Sequence, residues 1–297
     1  MSGLFDKIKT IFAKVKVKAT AAFKATAKIT AKVTANDNEQ EPTDVICDKL
    51  GFTGSEAYKL LRANLMFALP REGDRCVIGV TSAIRGEGKS TTAINLAYTL
   101  AQTGSNVLLI DADLRLPSVS KRLNIGSKMG LSNYLAGLCD ISDAIETSEK
   151  LQNLYVMPAG AIPPNPSELL ASEKMKNMLS ASSKVMKYTK YIIIDLPPVN
   201  IVSDALAISQ LTDGMLITVR QNQSDKKSLD ACINQLNLVN AKIAGFVFND
   251  ASEEGTHYGK YKKYSKYYKK HGYGYRGYYG KNHGYGYGYG YGYEKEV

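Results

Sequence analysis

Apolar residues in the middle of the chain gather into short continuous runs instead of alternating with polar residues. Such runs are typical of strands that are buried on both faces of a parallel sheet. Between them, residues 91–102 and 203–211 carry apolar positions at helical spacing. This order predicts an α/β fold with a mostly parallel sheet flanked by helices. The predicted strands are residues 77–81, 107–110, 155–160, 192–194, 214–219 and 244–249.

Residues 1–35 form a basic arm that precedes a linker predicted over residues 36–50. A Lys-x-Thr-Ala repeat covers residues 24–35, with its lysines four residues apart as on one face of a helix. A basic helix with an aromatic-bearing apolar face can bind an anionic membrane surface. A solvated arm that contacts a partner protein is an equal alternative. The apolar stripe consists of Leu4, Phe5, Ile8, Ile11, Phe12 and Val15.

The C-terminal residues 251–297 form a tail rich in tyrosine. Fourteen of the chain's 20 tyrosines lie between Tyr258 and Tyr293, interleaved first with lysine and then with glycine. A segment without aliphatic residues cannot bury a core, which predicts a flexible tail with accessible hydroxyls. An aromatic phase-separating segment and an RNA-binding tail are the alternatives.

The charge distribution argues against a nucleic-acid function for the central domain at 51–250. The chain carries a net charge of +10, of which residues 1–35 hold +7 and residues 251–297 hold +5. The remaining residues 36–250 therefore carry −2. Four widely spaced cysteines and the lack of a run of ~20 apolar residues predict a cytoplasmic protein with reduced thiols.

A glycine-rich segment between a predicted strand and a predicted helix has the pattern of a phosphate-binding loop. Gly86 and Gly88 allow close approach of the backbone, Lys89 can reach the terminal phosphates, and the Ser90 hydroxyl can bind Mg²⁺. The strict pattern has glycine where this chain has Ala83. A glycine-rich turn without a ligand is the alternative. The predicted nucleotide-binding residues are Arg85, Gly86, Glu87, Gly88, Lys89, Ser90 and Thr91.

Two further predicted strands end in aspartate, at Asp111 and Asp195. Both carboxylates should emerge at the carboxyl edge of the sheet, which is where ligands bind in open α/β sheets. Carboxylates there can hold Mg²⁺ or accept a proton from an attacking hydroxyl. The predicted metal ligands are Ser90, Asp111 and Asp195. Aspartates after strands also cap helices, and for Asp113 that alternative stays open.

The order of these motifs, a phosphate loop followed by Asp-x-Asp-x-Arg and Asp-x-Pro-Pro, resembles that of the bacterial tyrosine kinases. This resemblance covers about residues 53–249 and implies a MinD/ParA-like P-loop ATPase fold. It implies a cytoplasmic, membrane-peripheral autokinase of capsule and exopolysaccharide synthesis that uses ATP and Mg²⁺. A Pro-Pro-Asn-Pro-Ser-Glu-Leu-Leu segment at 163–170 is a further match.

The resemblance also implies roles for individual residues and partners. Glu56, Lys59 and Arg62 match a helical self-association pattern, with Lys59 in the place of an arginine, so a homo-oligomeric ring is implied. A membrane adaptor and a cognate tyrosine phosphatase are the other implied partners. The implied acceptors of phosphate in a neighbouring subunit are Tyr285, Tyr287, Tyr289, Tyr291 and Tyr293.

The mechanism expected from these residues is phosphoryl transfer to tyrosine. Asp111 is the candidate for orienting or deprotonating the acceptor, together with Lys89 on the phosphates and Asp113 supporting the metal. Arg115 would stabilise phosphate charge or contact a neighbour. In related P-loop ATPases an asparagine in the place of Asn249 contacts the base, although a turn-forming asparagine is an equal alternative.

Two other functions fit parts of the sequence. A membrane-associating P-loop ATPase of the partition or cell-division type, acting as a positioning switch, would share the fold and the phosphate chemistry. A catalytically weak scaffold would use only the tail. Arg115, the prolines at 197–198 and the tyrosine-rich tail favour the kinase.

Overall fold

The structure, a computed structural model, describes residues 27–28, 46–69, 75–126, 128–149, 151–180, 183 and 187–251. In this part of the chain, eight strands form one sheet in the order β1-β8-β7-β2-β6-β3-β5-β4. All neighbouring strands are parallel except β4 and β5. The predicted α/β fold with a mostly parallel sheet is confirmed. The strands are β1 (Ala27–Lys28), β2 (Cys76–Ser82), β3 (Val107–Asp111), β4 (Glu146–Thr147), β5 (Leu154–Met157), β6 (Tyr191–Asp195), β7 (Gly214–Arg220) and β8 (Ile243–Asn249).

Helices flank this sheet, and two of them adjoin the predicted motifs. The helix after the phosphate loop starts at Lys89, and the helix with the predicted self-association pattern starts at Phe52. A short 3₁₀ helix, Cys47–Lys49, precedes the latter. The α-helices described are α1 (Phe52–Ala68), α2 (Lys89–Ala101), α3 (Val119–Leu123), α4 (Leu131–Leu135), α5 (Pro166–Ala171), α6 (Glu173–Leu179), α7 (Asp204–Ser209) and α8 (Lys226–Leu238).

The continuous apolar runs are buried because both faces of the sheet are covered. Every residue of β2, β3 and β6 is buried. Side chains alternate between the faces, so Leu108 and Ile110 join one core cluster while Val107 and Leu109 join the other. The sheet therefore has two apolar cores, and the absence of polar alternation in the sequence follows from that.

The strand predicted at 155–160 is shorter than expected. β5 ends at Met157, because Pro158 has no backbone N–H and cannot continue the ladder. Gly160 adopts φ 79° and turns the chain into the proline-rich loop. β5 is therefore four residues long.

The N-terminal arm contributes a strand where its lysine spacing predicts a helix. Ala27 and Lys28 pair in parallel with Val247 and Phe248 of β8. β-branched threonines in the repeat favour extended backbone, which is a physical reason for this correction. The predicted apolar stripe at 4–15, the linker at 36–45 and the tail at 252–297 lie outside the described residues. Within the described part, no helix is long and apolar enough to cross a bilayer.

The sheet topology brings the three motifs to one edge. β6 lies between β2 and β3, and Asp111 is in register with Asp195 on the neighbouring strand. β2 runs parallel to β6 and leads directly into the phosphate loop. The expectation that both aspartates emerge at the carboxyl edge is confirmed by this register.

Candidate active site

The segment between β2 and α2 has the backbone of a phosphate-binding loop. Gly86 and Gly88 have φ of 81° and 90°, in the left-handed region that glycine adopts at little cost. α2 starts at Lys89, so its N-terminal N–H groups and dipole face the loop. Ala83 is buried and is not among the residues with positive φ, so alanine fits where the strict pattern has glycine.

Lys89 is held by the acidic residues predicted to share its site. Its Nζ lies 2.7 Å from Oδ2 of Asp113, 3.8 Å from Oδ1 of Asp195 and 3.4 Å from Oγ of Ser90. These carboxylates raise the pKa of Lys89 although burial acts in the opposite direction. Lys89 is thus placed among three carboxylates, counting Asp111, whose charge acts on it as well.

Asp195 is the residue that most requires an additional ligand. It is fully buried, and neither of its carboxylate oxygens makes a hydrogen bond of normal geometry. Burial raises its pKa, while Lys89 and the nearby Ser90 hydroxyl act to lower it. Its cation, the Lys89 ammonium at 3.8 Å, is shared with Asp113 and Asp111, so this buried carboxylate is only partly compensated. The residues present therefore fit a magnesium ion bound between Ser90 and Asp195.

Asp111 has a partly structural role. Its Oδ2 accepts hydrogen bonds from the backbone N–H groups of Ser118, at 3.1 Å, and Val119, at 3.0 Å. Burial, followed by the charge of Asp195, raises its pKa to about 7. The capping alternative considered for Asp113 is thus realised by Asp111 at α3. Asp113 contacts Lys89 instead, and its Oδ1 also accepts from the N–H of Leu116 at 3.1 Å.

Arg115 does not contact the cluster around Lys89 by any hydrogen bond described. Its Nε lies 2.9 Å from Oδ2 of Asp204, and its Nη2 lies 3.3 Å from Oδ1 of the same buried carboxylate. Ser167, in the proline-rich segment, donates to Asp204 at 2.5 Å. The guanidinium therefore joins the loop after β3 to α5 and α7. Asp204 engages Nε and Nη2 of Arg115, and the expectation that this guanidinium stabilises phosphate charge or contacts a neighbour stays a prediction.

Two other predicted nucleotide-binding residues are used differently from expectation. The Glu87 side chain is buried and accepts hydrogen bonds from the N–H of Ile84, at 2.9 Å, and from the Ser224 hydroxyl. It therefore braces the loop, and only its backbone is left to face a phosphate. The Asn249 amide donates to the backbone oxygen of Glu87 at 3.2 Å, so it contacts the loop itself, and its contact with the base stays a prediction.

Sequence reasoning missed several side chains that contact the loop or its helix. Arg220 is the last residue of β7, and Gln223 and Ser224 lie in the turn after it, with no recognisable spacing. Arg122 on α3 donates to the Thr91 hydroxyl at 3.3 Å, and its charge acts to lower the pKa of Asp195. Only their positions at or after the carboxyl ends of β3 and β7 could have indicated them.

The predicted self-association residues do not share one outward face. Glu56 and Lys59 form an exposed pair at 2.7 Å within α1. Arg62 points to the protein interior, where its Nη1 donates to the backbone oxygen of Thr99 at 2.6 Å. Thr99 lies in the last turn of α2, where carbonyls lack helical partners and cations are favourable. Arg62 thus caps the helix that begins at the phosphate loop, and its role as an oligomer contact stays a prediction.

Arg62→Ala is expected to lower the free energy of unfolding by about 1.5–3 kcal/mol, since it removes a hydrogen bond from a charged donor. Lys59→Ala removes only an exposed ion pair and should cost less than about 1 kcal/mol. Urea titrations of both variants measure the difference. Equal losses would contradict the capping role of Arg62.

Comparison with known proteins agrees with this geometry. Residues 76–247 match the family model described as an AAA domain. The tyrosine-protein kinase CpsD of Streptococcus agalactiae is 35% identical over 208 residues, which cover 69% of this chain and 87% of that protein. The kinase domain of the Escherichia coli tyrosine kinase ETK is 27% identical, with a TM-score of 0.67, and 77% of this chain covers 91% of that domain.

A cell-division ATPase shares the fold more distantly. MinD of Pyrococcus furiosus is 25% identical, with a TM-score of 0.50, over 62% of this chain and 75% of MinD. Relatives named as tyrosine kinases therefore decide between the two ATP-dependent functions in favour of the kinase. The chain belongs to the bacterial tyrosine-protein kinases, enzymes that are built on the P-loop ATPase fold.

Proposed function

We propose that this kinase transfers the terminal phosphoryl group of Mg·ATP to tyrosines in the tail of a neighbouring subunit. The observation that carries the proposal is the convergence of Lys89, Asp113 and Asp195 beside the phosphate loop. The tail supplies the acceptors, since fourteen tyrosines lie within residues 251–297. A tyrosine kinase site and a tyrosine-rich segment on one chain support autophosphorylation.

The phosphate loop provides the binding energy for the nucleotide. Its N–H groups and the N-terminus of α2 hold phosphate oxygens, with Lys89 placed to move from Asp113 to the terminal phosphates. Ser90 and Asp195 hold magnesium, and Asp111 stands beside them in register with Asp195. When bound, ATP would supply the phosphoryl group, and Mg²⁺ would offset the negative charge of these carboxylates and of the phosphates.

Asp111 is the proposed acceptor of the tyrosine proton. A base works best when its pKa lies near the working pH, and burial together with Asp195 raises the pKa of Asp111 to about 7. Its Oδ1 accepts only a long hydrogen bond, 3.3 Å from the N–H of Asp113. The backbone contacts on Oδ2 fix the orientation of the carboxylate while Oδ1 stays available.

The process that we propose for the kinase is regulation of capsule or exopolysaccharide synthesis and export. The N-terminal residues 1–35, with a net charge of +7, would attract an anionic membrane surface. A membrane adaptor would complete the active state at the inner face of the cell membrane. A tyrosine phosphatase would reset the tail, and self-association into a ring would bring tails to neighbouring sites.

Transfer between subunits predicts that an inactive chain becomes phosphorylated when an active chain is present. Isotope-labelled Lys89→Met protein, mixed with unlabelled wild type and Mg·ATP, should acquire phosphotyrosine in residues 258–293. Mass spectrometry separates the two chains by their label. Phosphate confined to the unlabelled chain would contradict transfer between subunits.

The same assay tests the acceptors. In the labelled chain, replacing Tyr285, Tyr287, Tyr289, Tyr291 and Tyr293 with phenylalanine should remove most of the incorporated phosphate. Undiminished incorporation would place the acceptors elsewhere in the tail.

A further inference from the structure

Three consecutive carbonyl groups of the phosphate loop accept hydrogen bonds from outside the loop. The oxygen of Arg85 accepts from Nε2 of Gln223 at 2.7 Å, and that of Gly86 accepts from Nη1 of Arg220 at 3.1 Å. The oxygen of Glu87 accepts from Asn249 at 3.2 Å. In a planar trans peptide the C=O and the next N–H point in opposite directions. Holding these carbonyls outward therefore turns the following N–H groups toward the phosphate side.

Arg220, Gln223 and Ser224, named here the β7 clamp, are themselves held in place. The N–H of Arg220 donates to Oγ of Ser224 at 2.8 Å, and its Nη1 also approaches Oε1 of Gln223 at 3.3 Å. The Ser224 hydroxyl donates to the Glu87 carboxylate. A Cβ at Gly86 would meet Gln223, so this glycine serves the close approach of the clamp as well as its own positive φ.

Arg220 also binds Asp250, the residue directly before the tail. Its Nε and Nη2 each lie 3.1 Å from Oδ2 of Asp250. Asp250 directly follows the last residue of β8, with φ of 52°, and precedes the tail at 251–297. One planar guanidinium thus contacts the phosphate loop with one nitrogen and the start of the tail with two others. A lysine ammonium, as a point charge on a flexible stem, does not reproduce this geometry.

We propose that Arg220 is a positioning residue that couples the start of the tail to the phosphate loop. Occupancy of the nucleotide site then changes the position of Asp250, and the Arg220–Asp250 pair in turn strengthens nucleotide binding, as linkage requires. The coupling rests on the proposed nucleotide binding and does not depend on tyrosine transfer. Arg220 and Asp250 are 41% and 45% exposed, so their ion pair adds little to global stability.

The experiment uses the full-length protein with Arg220→Lys, Arg220→Gln, Asp250→Asn and the double variant Arg220→Gln/Asp250→Asn. Glu173→Gln is the matched control, since it breaks another exposed pair, with Lys176 at 2.6 Å on α6. Calorimetry gives the Kd for Mg·ADP. Hydrogen exchange of peptides covering residues 250–256 reports the start of the tail with and without Mg·ADP.

Both Arg220 variants are expected to weaken Mg·ADP binding about five-fold or more, a typical coupling between sites. Asp250→Asn should weaken it by a smaller factor, and the double variant should match Arg220→Gln because both changes remove the same connection. Mg·ADP should slow exchange at 250–256 in wild type and in Glu173→Gln, but not in the other variants. Melting temperatures should stay near that of wild type throughout.

Two results would overturn the coupling. The first is an exchange response to Mg·ADP that is equal in wild type and in the Arg220 variants, or missing in wild type. The second is a double variant whose loss of binding free energy equals the sum of the losses in the two single variants. A protein that binds Mg·ADP but forms no phosphotyrosine would count against the proposed function alone, since Kd and exchange decide the coupling separately.

Discussion

Lys89→Met is expected to reduce phosphotyrosine formation by about 10²- to 10³-fold, the usual cost of removing one group that stabilises developing charge. Methionine keeps the length and apolar stem of lysine and removes the charge. Lys89 is the cation that the structure places 2.7 Å from Asp113 and 3.8 Å from Asp195, beside the phosphate loop. The measurement is phosphate incorporation with Mg·ATP, followed by mass spectrometry.

Folding has to be separated from catalysis in this experiment. The variant leaves Asp113 and Asp195 without their cation, so a lower melting temperature is expected together with an unchanged circular dichroism spectrum at 25 °C. Lys176→Met, at an exposed pair on α6, is the control and should retain full activity. Phosphate incorporation by Lys89→Met equal to that of wild type would remove the kinase chemistry from this site.

Asp195→Asn is expected to raise the stability of the nucleotide-free protein while it abolishes transfer. The carboxylate is fully buried and lacks hydrogen-bond donors of normal geometry, so its removal should release on the order of 1 kcal/mol. For a domain of this size that corresponds to a rise in Tm of about 2–4 °C. Lys89 keeps its partner at Asp113, which limits the loss from the substitution.

The gain in stability of Asp195→Asn over wild type should depend on pH. The pKa of Asp195 is raised in the folded protein, so the folded state disfavours the ionised form, and wild-type stability falls as pH rises through the folded pKa. The asparagine variant lacks this loss, and its Tm advantage should be larger at pH 8 than at pH 5. Asp111 adds to the difference in the same direction, since the charge of Asp195 is one cause of its raised pKa and the variant lacks that charge. Thermal melts at the two pH values measure the difference.

With Mg·ADP bound, wild type is expected to be more stable than Asp195→Asn. Magnesium pairs with the Asp195 carboxylate, so at about 100 times Kd the ligand should stabilise wild type by about 2.7 kcal/mol and the variant far less. Asp230→Asn on α8, outside the acidic cluster, should behave like wild type in every melt. A variant that is no more stable than wild type at pH 8, or that is equally stabilised by Mg·ADP, would contradict the assigned role of Asp195.

The sequence predicted those parts of the site that lie within one continuous segment: the phosphate loop and the aspartates at the ends of strands. A continuous apolar run indicates a strand that is buried on both faces of a sheet. The residue at the end of such a run lies at the edge of the sheet, and this reasoning predicted the positions of Asp111 and Asp195. The glycines of the phosphate loop were predictable because the backbone there requires positive φ at Gly86 and Gly88.

The remaining contacts depend on tertiary structure that no local pattern encodes. Arg115 was expected at the phosphates, but its partner Asp204 lies 89 residues away on α7. Arg62 contacts a backbone carbonyl of α2, which the spacing of charged residues along α1 does not indicate. Arg220 and Gln223 of the β7 clamp donate to main-chain oxygens, which are present at every residue and do not restrict the choice of side chain.

The short strand β1 has a consequence for how this protein can be shortened. β8 would be the last strand of the sheet without it, because β7 already occupies the other side. An uncovered edge strand offers its free N–H and C=O groups to another chain, and intermolecular pairing follows. A fragment that starts at residue 51 loses Ala27 and Lys28 together with the cover on Val247 and Phe248. Aggregation or strand-mediated dimers of such a fragment would then reflect the truncation and not the native assembly.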